Sequence, residues 1–266
     1  MKSSAKKLGI SLWRATILRV FQTQAKRVLP HYIQLAARKP RDNSITYCSG
    51  ASGEPYTTMV TLLAYSIILN EDSIPRLRIG YDKQPPEHLM QFDFIELFQV
   101  EYKDEDWPEK ALKFWNFVGK PQAMLGAETH LCVWLDSDIF LLKPLRSLFK
   151  TNAFIPTDDR VGGGIYCLEK NIKHDFYYQV LKKQQELDIR SDRPCMQSAI
   201  EHLGISFQSL PDCDKQFMEF AQITPAEADR REITGRYWMH FSRGKARNLL
   251  YTLAWLKHLF RLLNIN

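Results

Sequence analysis

The chain contains no run of 18 or more uncharged apolar residues, so it offers no helix able to span a bilayer. It also lacks any CxxC pair. Its five cysteines, Cys48, Cys132, Cys167, Cys195 and Cys213, are odd in number, far apart and mostly set in apolar runs. That pattern argues against a zinc site or a disulfide framework and reads as reduced thiols in a cytosolic protein. No Gly/Ser-rich linker, low-complexity tract or internal repeat divides the sequence, which favours one main domain over a string of modules. The first eight residues are basic, as in a signal-peptide n-region. Arg14 and Arg19 interrupt the apolar segment after them, however, and no small-residue cleavage site appears. The expected location is the cytoplasm.

What is present is enough apolar material for a large core: 266 residues, 45% of them hydrophobic and 12% aromatic. The net charge of +6 suits nucleic acid, an anionic membrane surface or a phosphorylated substrate, and charge alone does not choose among them. Over residues 9–38, Leu12, Trp13, Ile17, Val20, Phe21 and Val28 recur at near-helical spacing with Arg14, Arg19, Lys26 and Arg27 between them. This predicts a basic amphipathic helix filling an N-terminal segment 1–40. Strand signals come next at 44–48, 76–80 and 94–100, with a turn at 49–53 and an apolar helix over 56–69. Helices are expected within 108–125, from Pro144, and at 174–187 and 194–203. Further strands are expected at 131–135, 153–156 and 237–241, before a basic apolar helix over 247–266. Strand and helix in alternation predict an α/β domain, residues 41–246, with a largely parallel sheet.

The chemistry sits at the strand 131–135, five apolar residues that run directly into Asp136-Ser137-Asp138. This puts two carboxylates at the carboxyl end of a buried strand, where open α/β sheets collect their ligands. On a strand the two would share a face. Paired hard oxygen donors suit Mg²⁺ or Mn²⁺, leaving positions for water and for the oxygens of a diphosphate. Asp is also a common turn residue, and a bare Asp-x-Asp is frequent in unrelated chains. The apolar run before the pair and Ile-Phe-Leu-Leu-Lys-Pro-Leu after it favour the metal reading.

At this segment the sequence resembles the GT-A class of nucleotide-sugar glycosyltransferases, and within it is most similar to glycosyltransferase family 8, from about Ile45 to about Lys245. Val161-Gly-Gly-Gly-Ile-Tyr-Cys-Leu168 resembles the family's small-residue turn before a strand. Asp192 and Gln197 resemble its Asp-Gln helix start, although here four residues separate them. Trp238-Met-His-Phe-Ser-Arg-Gly-Lys245 resembles the segment whose His ligates the metal and whose Lys contacts the diphosphate. Its spacing departs from the family pattern, so that Arg243, Lys245 and Arg247 compete for the phosphate role.

The resemblance implies a GT-A (Rossmann-like) mixed sheet flanked by helices and transfer of a sugar from a nucleoside diphosphate sugar, with UDP as nucleotide and retained anomeric configuration. It implies Asp136, Asp138 and His240 as ligands of Mn²⁺ or Mg²⁺, and Asp192 and Gln197 near the chemistry. Tyr47, Ser49, Ala51 and Ser52 match the nucleotide-receiving loop, with Asp82 towards the base or ribose. Lys113, Lys120, Ser137 and Lys245 are the remaining candidates to touch the donor. The acceptor would be a saccharide or glycolipid hydroxyl, and Asp158, Asp159 and Asp192 are available near its side.

Two rivals stand beside this reading. A haloacid dehalogenase-like phosphatase also places Asp-x-Asp after an apolar strand and uses the first Asp as nucleophile. Its pair belongs near a domain start, whereas about 130 residues precede this one. A non-catalytic membrane-binding protein is suggested by the cationic, apolar segment 247–266, which suits an interfacial helix as well as one that closes the core. Peripheral contact with the cytoplasmic membrane face is compatible with catalysis on a glycolipid. No interleaved aromatic and basic reader motif supports a nucleic-acid partner.

Overall fold

A computed structural model describes residues 2–53, 56–102, 115–156, 161–211, 237–240 and 261–263. Seven strands form one sheet: β1 (Arg41–Ala51), β2 (Ile74–Tyr81), β3 (Ile95–Gln99), β4 (Leu131–Leu135), β6 (Ala153–Pro156), β7 (Val161–Glu169) and β8 (Gln208–Ser209), in the order β3-β2-β1-β4-β7-β6-β8. β1 to β4 run parallel, and β6 and β8 share their direction. Only β7 is antiparallel to its neighbours, pairing with β4 from Leu131↔Glu169 to Leu135↔Ile165. A separate ribbon joins β5 (Ile139–Leu141) to β9 (Trp238–His240), antiparallel, with Ile139 opposite His240. The expected α/β architecture with a largely parallel sheet is what the chain forms.

Alternation along the central strands explains the layers, because successive side chains point to opposite faces. Ile45, Tyr47, Leu131, Val133, Leu135, Ile165 and Cys167 face one core with α1 (Lys2–Ala37) and α2 (Tyr56–Asn70). Cys48, Cys132, Trp134, Tyr166 and Leu168 face a second core with α3 (Trp115–Leu125), α4 (Lys173–Leu187) and α5 (Arg193–Leu203). α2 is buried continuously from Thr58 to Ile68, as a helix apolar on all sides must be, because α1 covers the side that the sheet does not. Tyr32 of α1 stacks on Tyr65 of α2 at 4.2 Å between centroids, and the Tyr65 hydroxyl donates to the Ala25 carbonyl at 2.8 Å. Buried Lys173 donates to the carbonyls of Met124 (3.0 Å) and Leu125 (2.9 Å), closing the C-terminal end of α3.

Several expected boundaries move. α1 begins at Lys2 rather than residue 9, and Val20, placed by spacing on an apolar face, is 44% exposed. β1 continues through Ser49 and Ala51, where a turn was expected; the positive-φ turn comes at Gly53. The helix expected from Pro144 is a single 3-10 turn, Arg146–Leu148. Gly162-Gly-Gly is not a turn: all three lie inside β7, and among the described residues only Gly53 and Gly204 are glycines with positive φ. Of the C-terminal segment 247–266, residues 261–263 are described, with Leu263 buried and its carbonyl accepting from Tyr32 at 2.7 Å. Cys48, Cys132, Cys167 and Cys195 are buried free thiols, while Cys213 lies outside the described residues.

Candidate metal and donor site

β4 ends at Leu135, so Asp136 and Asp138 do not share a strand face as expected. They stand in the tight turn between β4 and β5, which the Ile139 amide closes on the Asp136 carbonyl at 3.1 Å. The Asp136 amide is anchored on the Gly164 carbonyl of β7 at 2.8 Å. β5 then pairs with β9 and carries His240 back to the turn. His240 Nε2 lies 3.2 Å from Asp138 Oδ1 and 3.6 Å from Asp136 Oδ2. One donor atom from each of Asp136, Asp138 and His240 lies within 4.8 Å of the others, and Asp138 and His240 are buried. Two carboxylate oxygens and an imidazole nitrogen so placed fit a divalent cation such as Mn²⁺ or Mg²⁺.

Lys120, in α3, is the second charge in this centre. It is 7% exposed, donates to Asp192 Oδ2 at 2.8 Å and to the Gly163 carbonyl at 2.9 Å, and lies 3.2 Å from Asp136 Oδ1. Its ammonium also stands 5.1 Å from the Trp134 ring centroid, and the Trp134 indole donates to Asp136 Oδ1 at 2.7 Å. Burial acts against the charged lysine, but Asp136 and Asp192 outweigh it and raise its pKa. Asp136, which burial alone would push up, is held below the usual carboxylate range by Lys120 and His240. The same balance governs His240: burial lowers its affinity for a proton, yet Asp138 and Asp136 raise its pKa to about 9. Lys120 and His240 thus balance the carboxylates of Asp136, Asp138 and Asp192.

The glycines of β7 make this approach possible. A Cβ on Gly164 would lie 2.5 Å from His240 Cε1 and 3.4 Å from Asp136 Oδ2, and one on Gly163 would lie 3.1 Å from Asp192 Oδ1. Their use is close backbone approach, not a bend in the chain. A cavity of about 400 Å³ opens beside the centre, lined by Gly50, Ser52, Tyr56, Trp115, Asn116, Lys120, Trp134, Asp136, Ser137, Asp138 and Asp192. The Trp115 ring covers Gly50 and Gly119 so closely that a Cβ on either would meet it at 2.4 or 2.5 Å.

Not every expected residue reaches this cavity. Tyr47 is fully buried and donates to Glu71 at 2.8 Å; Ser49 donates to the Leu135 carbonyl at 2.7 Å; Ala51 is a core residue. The alternate residue Gly50, with Ser52, faces the space instead. Asp82 accepts from Ser52 at 2.7 Å and so lies one residue back from the wall. Asp192 occupies the helix N-cap position but caps nothing with its carboxylate, which Lys120 takes. Gln197 donates to Glu201 at 2.7 Å along α5. Lys113, Asp158, Asp159, Arg243, Lys245 and Arg247 lie outside the described residues. Sequence reasoning missed Tyr56, Trp115, Asn116 and Trp134. Trp134 was legible, being two residues before Asp136, whose Oδ1 its indole reaches.

Comparison with solved structures decides the fold. Glycosyltransferase GlyE of Streptococcus pneumoniae is similar at a TM-score of 0.53 and 10% identity, over 84% of this chain and 64% of GlyE. An active-site mutant of LgtC matches at 0.52 and 14%, over 82% of this chain and 95% of that one. The galactosyltransferase LgtC in complex with donor and acceptor sugar analogs matches at 0.52 and 12%, with the same coverage. The fold is GT-A-like. This chain spans under two thirds of the length of GlyE. No family model and no curated protein matches the sequence. Within this GT-A-like fold the Asp136-Ser-Asp138 turn follows a central parallel strand, next to the point where the strand order reverses around β1 and β4.

Proposed function

We propose that the chain is a glycosyltransferase that moves a sugar from a nucleoside diphosphate sugar, with UDP as nucleotide, to a hydroxyl of a saccharide or glycolipid. One observation carries this reading: Asp136, Asp138 and His240 converge within 4.8 Å at the edge of a 400 Å³ cavity in a GT-A-like fold. These three side chains would hold Mn²⁺ or Mg²⁺, which supplies charge neutralisation for a departing diphosphate. Ser137, between the two proposed ligands and lining the cavity, would donate to a donor oxygen. Lys120 fixes Asp136 and Asp192 in one orientation and adds positive charge beneath the cavity floor. Trp115 and Tyr56 give the same cavity apolar surface against which a base or sugar ring can pack. Retention of anomeric configuration belongs to the proposal through the family resemblance.

The phosphatase reading asks Asp136 to act as a nucleophile. Its Oδ1 already accepts from Trp134 and pairs with Lys120, and its Oδ2 faces His240, a setting that orients a ligand.

Thermal shift with nucleoside diphosphates, with and without Mn²⁺, followed by turnover of a panel of UDP-sugars, tests the proposal. Stabilisation by UDP only with metal, and its loss together with turnover in Asp138→Ala, is expected. Undiminished turnover in Asp138→Ala overturns the assignment.

A further inference from the structure

The charge of this molecule is very unevenly placed. Residues 1–41 hold ten of the 36 lysines and arginines and none of the 30 acidic residues, so residues 42–266 carry 26 basic against 30 acidic side chains and are net −4. The excess of positive charge therefore belongs to the N-terminal segment. α1, 36 residues long, carries seven of these cations and no acid.

Its two halves are also built differently. Among the described side chains of α1, the buried ones are Ala25, Leu29, Tyr32 and Ala36, at spacings of 4, 3 and 4, which pack on α2 and the sheet. Ahead of Ala25, Arg19, Val20 and Thr23 are exposed, and Val20 is one of the few large apolar side chains among the described residues that is more than 40% exposed. From Lys2 to Gln24 the helix extends for roughly 35 Å at 1.5 Å per residue. In the sequence of that half, Trp13, Ile17, Val20 and Phe21 recur at i, i+4, i+7 and i+8, with Arg14 and Arg19 between them and Lys2, Lys6 and Lys7 ahead of them.

We infer that the N-terminal half of α1 docks on the surface of an anionic lipid bilayer, lying in the interface. An aromatic and aliphatic stripe among cations, without acids, is the composition of an interfacial helix. No described helix is long and apolar enough to cross a membrane, so the contact is with the surface. A second copy of this chain is a poor occupant, because two helices with seven cations and no acid repel each other. A nucleic acid would match the charge but would leave the apolar stripe without a partner. The net −4 remainder is repelled by the same lipid, so the field turns the helix toward the surface and the body away from it. This inference stands apart from sugar transfer, because its readout is lipid binding.

The test is co-sedimentation of the full chain with sucrose-loaded vesicles of phosphatidylglycerol and phosphatidylcholine (3:7), and of phosphatidylcholine alone, at 0.15 M salt. Binding to the anionic vesicles alone is expected. Each charge removed weakens it roughly fivefold, so Lys6→Gln, Lys7→Gln, Arg14→Gln and Arg19→Gln together lower it more than a hundredfold with an unchanged melting temperature. A second variant, Arg247→Gln with Lys257→Gln and Arg261→Gln, should bind as the parent does. Equal binding by the α1 variant, loss confined to the C-terminal variant, no binding to anionic vesicles, or tighter binding to a 20-base-pair duplex each overturns the inference.

Discussion

Replacing Gly164 by alanine tests the metal centre through a residue that would ligate nothing. The added Cβ lies 2.5 Å from His240 Cε1 and 3.0 Å from Nδ1, so the imidazole must retreat by about 1 Å to regain ordinary contact. It cannot retreat freely, because His240 is buried and its strand is paired with β5. Overpacking of this kind costs about 1–3 kcal/mol of stability, and misorienting a ligand histidine lowers metal affinity roughly 10–100-fold. Mn²⁺ affinity, read from free Mn²⁺ by electron paramagnetic resonance, should fall by that factor in Gly164→Ala. In Gly163→Ala, where the 3.1 Å contact is with Asp192, affinity should stay within about threefold of the parent, since Asp192 only touches the ligand network through Lys120. His240→Ala should lose metal without the clash, and the double variant should bind metal no worse than His240→Ala while recovering stability. Parental affinity in Gly164→Ala, or additive losses in the double variant, refutes the reasoning.

Lys120→Met should destabilise the protein by about 1–3 kcal/mol, because the half-buried Asp136 and Asp192 lose their shared cation; adding Asp192→Asn should restore part of it, measured by urea unfolding. In the metal-free protein the His240 pKa of about 9 lies above its unfolded value of 6.5. Its contribution, at most of the order of 3 kcal/mol, is complete below pH 6.5 and lost as pH rises through 9, so urea midpoints in EDTA should fall across that window. Because a cation must displace that proton, apparent Mn²⁺ affinity should rise over the same window, and a flat titration curve would contradict the assigned ligand. Glu71→Ala removes the acceptor of the Tyr47 hydroxyl and the Leu145 amide, both 2.8 Å away, and should cost about 3 kcal/mol in chemical denaturation.

Much of the fold is legible in the sequence, for identifiable reasons. β4 and β6 fall on their expected residues because each is a short apolar run between breakers, and α2 because its apolar length exceeds that of a strand. The candidate metal ligands are legible only in combination: an Asp-x-Asp is common by itself, and it is the apolar run before it and the resemblance of the His240 segment that single out Asp136, Asp138 and His240. Other features depend on approach between distant segments, which spacing does not encode. Lys120 carries the same local signal as any helix lysine, and only packing reveals that α3 inserts it between Asp136 and Asp192. The Gly162–Gly164 run carries a turn composition, yet it lies within β7, where Gly163 and Gly164 leave room for Asp192 and His240. The nucleotide-loop expectation is off by one register step: with β1 extended to Ala51, Gly50 meets the cavity while Ser49 and Ala51 turn inward.

The β5–β9 ribbon has a consequence for how the centre comes into being. Asp138 and His240 are separated by about a hundred residues of chain, and closing a loop of that size costs about 4 kcal/mol of chain entropy. A nascent chain that has not yet delivered β9 possesses the carboxylates but no complete chelate. An ion seated across the ribbon would act as a clasp on that loop, resisting the detachment of β9 from the body. Metal loading and retention of β9 would in this sense be one equilibrium, and metal-dependent hydrogen-exchange protection of residues 237–240 should report on both.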